Sequence, residues 1–314
     1  MSALRQAAQD YIEMRRGLGF KLREAGRGLI DFVSFLEAND APYITMELAL
    51  EWAQRPSHTQ PSHWAVRLSH VRGFARHRVA TDPRTQIPPD GLLPFRPKRA
   101  RPYLYSQDDI RRLLAAALEM PCRYTCCKLR PLTFYCLFGL LSVAGLRLGE
   151  ARNLKLSDID FDAMVLTIRG TKFGKSRLVP MHATTCAVLQ DLIKRRQRHN
   201  SALAESPYLF TSSRGNRLDV GDIHRTFYAL SRRIGLRGTD DSHGPRLHDM
   251  RHVFATNTLL RWYQAEQDPE RLLPILSTYL GHAHVADTQW YLSASPELMT
   301  EAMRRLERSW EDRT

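Results

Sequence analysis

Six prolines fall within twenty positions: Pro83, Pro88, Pro89, Pro94, Pro97 and Pro102. Proline fixes its own φ near about −65° and has no backbone N–H, so neither a helix nor a central strand runs through such a stretch. The chain must divide here into two folded parts joined by largely extended backbone. With 314 residues, each side is long enough to bury a core. The expected division is residues 1–95, a linker at 96–103, and residues 104–314. Arg96, Lys98, Arg99 and Arg101 make the linker basic.

The N-terminal side reads as helices only. Tyr11, Met14 and Leu18, then Leu29 to Leu36, repeat apolar residues every three to four positions, and Gly17 and Gly19 end the first run. Thr45 caps a third helix through Leu48 and Trp52. A fourth begins near Ser62, with an apolar seam of Val66, Val71 and Phe74. His63, Arg67, His70, Arg72, Arg76, His77 and Arg78 surround that seam. Two readings stay open for this cationic face: an ordinary solvated surface, or one that follows a polyanionic backbone.

Beyond the linker, Ser106 opens a helix with Asp108 and Asp109 in its first turn. An apolar helix from about Leu132 to Val143 breaks at Gly145, and a short helix spans Leu146 to Leu154. The period then shortens. Residues 164–168 and 176–180 alternate as strands about the turn Gly170-Thr171-Lys172-Phe173-Gly174-Lys175. Helices are expected over 183–199, basic and amphipathic, and over Asp219 to Ile234. The loop 235–246 leads into a further helix from His248 through Leu260. Residues 263–271 read as a loop insertion. A last amphipathic helix, 297–310, carries Leu298, Met299, Ala302, Met303, Leu306 and Trp310 on one stripe. The fold class is mainly α, with an all-helical first domain and a second of α+β type containing a small antiparallel sheet.

Composition narrows the partner. Lys and Arg total 46 against 33 Asp and Glu, a net charge of +13, which favours a polyanion such as DNA or RNA. No run of 18 apolar residues exists to span a membrane, and the N-terminus lacks a signal-peptide core. Cys122, Cys126, Cys127, Cys136 and Cys186 form no paired framework, and Cys122-x3-Cys126-Cys127 fits no usual zinc spacing, so reduced thiols are expected.

Three strings carry the chemistry: Ala144-Gly145-Leu146-Arg147-Leu148-Gly149-Glu150, Leu247-His248-Asp249-Met250-Arg251-His252, and Leu280-Gly281-His282 followed nine residues later by Tyr291. Metal-free attack on a phosphodiester needs a nucleophile, cationic donors around the phosphate oxygens, and a proton for the departing oxygen. Tyr291, Arg147, Arg251, His248, His282 and a lysine answer that list. Each string alone has a plainer reading. Arg147 and Glu150 at i, i+3 suit a surface ion pair. His248 and His252 at i, i+4 could grip zinc, although Asp249 is short for a metalloprotease base and Arg251 would place a cation beside the metal.

Taken in this order, the strings resemble the catalytic signature of the tyrosine recombinase, or phage integrase, family over about residues 104–300. The resemblance implies a helical, SAM-like core-binding domain and a catalytic domain closing on duplex DNA as a C-shaped clamp, with no arm-type domain ahead of it. Arg147, His248, Arg251 and His282 would hold the phosphate, with Glu150 supporting Arg147. Lys172 would be the general acid, and Tyr291 the nucleophile forming a 3′-phosphotyrosine. Arg67, Arg72, Arg76, Arg96, Lys98, Arg99, Arg101 and Lys175 would contact the DNA backbone. No metal or cofactor is implied. The C-terminal helix would link protomers into dimers or tetramers on double-stranded DNA, with or without other recombinases. The expected location is the cytoplasm of a prokaryote, at the nucleoid. A non-catalytic DNA-binding relative and a type IB topoisomerase-like enzyme are the alternatives.

Overall fold

The computed structural model describes residues 2–95, 101–122, 128–170, 176–199, 201–241, 243–293 and 295–311. Arg96, Lys98, Arg99, Cys126, Cys127, Lys172 and Lys175 therefore lie outside the described residues. The chain separates into two compact units, Met1–Ala100 and Arg101–Thr314.

In the first unit, helices α1 (Ala3–Gly17), α2 (Arg23–Ala38), α3 (Met46–Gln54) and α4 (Pro61–Arg78) enclose Phe32, Leu36, Trp52, Leu68, Val71 and Phe74. Their starts are encoded locally. The Ser2 and Thr45 hydroxyls accept the Arg5 and Leu48 amides, and Pro61 opens α4 where a missing N–H is harmless. The proline segment as far as Phe95 is tied to this unit by hydrogen bonds. Gln86 donates its amide to Ile44 O at 2.8 Å, and Arg72 donates to Pro88 O and Pro89 O, each at 2.7 Å. Up to Phe95 the segment thus belongs largely to this unit.

The second unit begins with α5 (Gln107–Leu118), closed by a Ser106–Asp109 capping box, and α6 (Arg130–Ala144). Phe134, Leu137, Phe138 and Leu141 of α6 lie in a large apolar core. Then follow α7 (Leu148–Asn153), β1 (Ile159–Asp160), β2 (Val165–Ile168), β3 (Arg177–Pro180), α8 (Ala183–His199), α9 (Ser201–Ala204) and α10 (Val220–Arg233). Among the described residues the sheet is three-stranded and antiparallel, in the order β1-β2-β3, with Leu166 opposite Val179 and Ile168 opposite Arg177. The two-residue β1 is too short to give a sequence period. The basic α8 also hides a buried cation. Arg196, 2% exposed, donates to four carbonyls, those of Leu203, Ser206, Tyr208 and Leu209.

The last part of the unit departs from one expectation. No insertion loop spans 263–271: α11 (Leu247–Gln264) runs on to Gln264, and α12 (Pro269–Leu280) starts at Pro269. Asp268 caps α12 through the amides of Glu270 and Arg271, and Pro269 sits at its first position, so a polar-looking stretch is mostly helix. After α13 (Ala286–Gln289) and a 3-10 turn (Trp290–Ser293), α14 (Pro296–Glu311) packs back on α11 of its own unit. Its apolar stripe splits. Leu298 is buried with Leu259, Leu276 and Tyr291, whereas Met299, Met303, Leu306 and Trp310 are exposed.

Candidate active site

The site is built around the end of α6. Gly145 takes a left-handed conformation (φ 58°) and turns the chain into α7. A Cβ there would meet the Phe254 ring at 2.5 Å, so both the backbone and the packing require glycine. Arg147 is the N-cap of α7. Its amide donates to Glu150 Oε2 at 2.9 Å, and its guanidinium donates to Glu150 Oε1 at 2.8 Å and to Gly281 O at 3.0 Å. The ion pair foreseen between Arg147 and Glu150 is therefore no surface pair, because the Glu150 side chain is 8% exposed.

Helix α11 supplies the second cation. Asp249 accepts from the Arg246 amide and guanidinium and so caps the helix, which gives that carboxylate a structural task. Arg251, two residues on, is 1% exposed. It donates to Gly145 O at 2.8 Å and to Leu280 O at 2.6 Å, the carbonyls at the C-terminal ends of α6 and α12. Such carbonyls lack partners within their own helices and lie at the negative end of the dipole, so they suit a buried guanidinium.

Arg251 Nη2 also lies 3.0 Å from His282 Nε2, and His282 Nδ1 lies 2.7 Å from Thr288 Oγ1. A guanidinium can only donate, so Nε2 accepts and Nδ1 carries the proton toward Thr288. Burial, with Arg251 and Arg147 nearby, pushes His282 down to about 4, leaving it neutral near pH 7. Burial and the Arg147 charge likewise bring Arg251 down to about 10.

Tyr291 is 3% exposed in the 3-10 turn. Its ring stacks on His282 at 6.0 Å between centroids and meets His252 edge-on at 5.2 Å. His252, 5% exposed, packs behind the site, and His248 stands edge-on to it at 4.8 Å. The structure thus brings Arg147, with Glu150, and Arg251 to neighbouring carbonyls at the end of α12, sets His282 between Arg251 and Tyr291, and links His248 to them through His252. A zinc reading of His248 and His252 finds Asp249 engaged as a cap and His282 Nε2 held by Arg251. Among the described residues no group of three or more His, Cys, Asp and Glu could hold a metal ion.

Arg177 was not foreseen. It starts β3, donates through both terminal nitrogens to Glu150 (3.0 and 2.8 Å), and donates through Nε to Tyr279 O at 2.5 Å. A signal for it exists in the sequence. Leu178 and Pro180 face outward while Val179 is buried, so Arg177 shares the inward face and needs a buried carboxylate. Thr288, fully buried, was also missed.

The arginines proposed for DNA contact differ in their surroundings. Arg67 lies over the Trp52 ring at 3.8 Å and donates to Trp52 O. Arg72 pairs with Asp90 and the proline carbonyls, leaving its side chain 12% exposed. Arg76 also meets Asp90 but is 59% exposed, and Arg101 is exposed.

Residues 104–297 match the phage integrase family. The chain belongs to that family of tyrosine recombinases. Its activity class is the breakage and rejoining of DNA strands. The recombinase is 82% identical over its full length to y4rB of Sinorhizobium fredii, named an integrase/recombinase, with 100% of both chains covered. It is 31% identical to the tyrosine recombinase XerD of Caulobacter vibrioides, over 76% of this chain and 72% of that one. In fold it resembles the Tn1549 transposon integrase, solved in complex with a circular intermediate DNA. The TM-score is 0.64 at 18% identity, covering 98% of this chain and 100% of that one.

Proposed function

We propose that the recombinase cuts each DNA strand by attack of the Tyr291 phenol oxygen on the scissile phosphorus. The phenol gives its proton to water as the new O–P bond forms. The bond to the 5′ oxygen breaks, and Lys172 protonates that oxygen as it leaves. A 3′-phosphotyrosine then preserves the bond until a 5′-hydroxyl from another strand attacks it, reversing the step. Arg147, Arg251, His248 and His282 surround the phosphate oxygens as charge builds in the transition state. Permanent charge and forked donors suit the two arginines to this task.

The observation that carries this reading is the continuous contact Arg251–His282–Tyr291. A guanidinium 3.0 Å from an imidazole, itself stacked on a buried tyrosine ring, puts cation, neutral imidazole and nucleophile in one place. Rigid mounting matters, since a misplacement of about 1 Å costs about 100-fold in rate.

Residues 1–95 act, in this proposal, as the core-binding domain, 96–103 as a basic connection, and 104–314 as the catalytic domain. Arg72, Arg76, Arg96, Lys98, Arg99, Arg101 and Lys175 follow the backbone, and Arg67 braces α4, the helix that carries Arg72 and Arg76. The exposed stripe of α14 joins protomers on paired sites. The biological role is integration, excision or transposition of a mobile element, in the cytoplasm at the nucleoid. The names integrase and transposon integrase among the relatives support that role.

A nicked suicide substrate tests the chemistry. Protein–DNA adduct should accumulate, map to Tyr291 by peptide mass, and persist in excess EDTA. An adduct mapped to Tyr279 or Tyr263, or activity lost to EDTA and restored by zinc, would overturn the assignment.

A further inference from the structure

Three consecutive carbonyls at the end of α12 each hold a different arginine. Tyr279 O accepts from Arg177 at 2.5 Å, Leu280 O from Arg251 at 2.6 Å, and Gly281 O from Arg147 at 3.0 Å. Only Arg147 and Arg251 are assigned to the phosphate. Arg177 comes from the sheet, with its side chain 8% exposed, and is bound on both terminal nitrogens by Glu150. Gly281 is fitted to it: a Cβ there would stand 2.9 Å from Arg177 Nη1.

Glu150 therefore serves two cations with one charge. A carboxylate facing a single arginine forms a two-pronged pair that spends both of its oxygens and one edge of the guanidinium. Here both Glu150 oxygens are already engaged by Arg177. Arg147 reaches only Oε1 with one terminal nitrogen, and its amide takes Oε2.

We infer that Arg177 is a positioning residue for strand cleavage: by occupying Glu150, it keeps Arg147 from being neutralised and leaves it a donor edge for the scissile phosphate. The inference rests on the reading above, in which Arg147 binds that phosphate. The charges facing Glu150 are Arg147 at the α7 cap and Arg177 from β3, with Arg251 of α11 farther off. Burial alone would raise the Glu150 carboxyl, but the Arg177 and Arg147 contacts bring it down to about 2, so it is ionised at any working pH.

Removing Arg177 should let Glu150 take Arg147 as a full pair. Arg177→Ala is expected to slow single-turnover cleavage of the suicide substrate by about 100-fold, the scale of a misplaced catalytic group. Gel-shift affinity for the same DNA should change by less than about threefold, because backbone contacts elsewhere dominate binding. Arg177→Lys, a point charge without the fork, should fall between. The deciding variant is Arg177→Ala/Glu150→Gln. A neutral amide cannot quench Arg147, so cleavage should recover by about tenfold over Arg177→Ala, a rescue that a purely structural role would not give.

Should Arg177→Ala fail to fold, Arg177→Gln/Glu150→Gln keeps hydrogen-bonding groups without either charge and should cleave within about tenfold of the parent. Arg177→Ala cleaving within about threefold of the parent, or a double variant no faster than the single one, overturns the inference. So does a folded Gln/Gln variant that binds DNA without cleaving it. If the parent itself forms no adduct at Tyr291, the functional reading falls instead. Normal parental cleavage with unaffected Arg177 variants removes only this inference.

Discussion

The ring of Tyr291 lies nearly parallel to that of His282, 21° between planes, inside the apolar cluster shared by α11, α12 and α14. The proposed nucleophile is therefore also a core residue. Tyr291→Phe keeps the ring and should lower stability by less than about 1 kcal/mol while abolishing the adduct. Tyr291→Ala should cost roughly 3–5 kcal/mol through the cavity it leaves. Urea denaturation beside a gel shift separates the two. A Phe variant that loses DNA binding would show that the hydroxyl does more than attack.

Lys172 and Arg147 should respond differently to the leaving group. A general acid matters only while the departing atom needs a proton. A 5′-bridging phosphorothiolate leaves as sulfur unprotonated, so it should restore most cleavage to Lys172→Ala and little to Arg147→Ala. Equal restoration of both would take Lys172 out of the acid role.

The tail can be tested without damaging its own unit. Deleting residues 297–314 would remove Leu298, 1% exposed beside the Tyr291 cluster, and Leu298→Ala alone should cost roughly 2–5 kcal/mol. Met303→Glu/Leu306→Glu alters only the exposed part of α14. It should preserve binding to a single site yet abolish cooperative binding to paired sites and recombination. Recombination at the parental rate would remove α14 from the protomer interface.

Acid should weaken the catalytic unit in two stages. His282 sits at about 4 against an ordinary 6.5, so the folded state takes up its proton less readily than the unfolded chain. Stability is then lost as pH falls from 6.5 toward 4. Glu150, at about 2 against 4.5, adds a further loss as pH falls below 4.5. The urea midpoint of parent and His282→Gln proteins at pH 7, 5.5 and 4.5 reads this directly. The variant should lose less on going to pH 4.5, and an equal decline in both would place the first stage elsewhere.

The arginines of α4 should divide by exposure. Arg76→Ala should lower the salt dependence of DNA binding by about one unit of slope with little effect on stability. Arg67→Ala should instead destabilise the N-terminal unit by roughly 1–2 kcal/mol, through loss of the Trp52 ring contact and carbonyl bond. A salt slope changed equally by both would return Arg67 to the phosphate-contacting set.

Much of this was written in local order along the chain. Ser2, Thr45, Ser106, Asp219 and Gly145 mark helix ends because capping and left-handed turns depend on neighbouring residues only. The 263–271 stretch misled for the same reason. Its polar residues suit a loop, yet Asp268 and Pro269 start a helix whose apolar face is satisfied by distant α11.

The sequence by itself marked the proline-rich stretch and the helical frame, because each follows from residue type at short separation, and the family resemblance supplied Arg147, His248, Arg251 and His282 as expected companions of Tyr291. The sequence could not determine which charges meet. Arg177 and Glu150 are 27 positions apart, and Arg147 and Gly281 are 134 apart. Only the folded chain brings three arginines to consecutive carbonyls of α12 around one buried carboxylate. Electrostatic pairing depends on distance and burial in space, and a linear string carries neither.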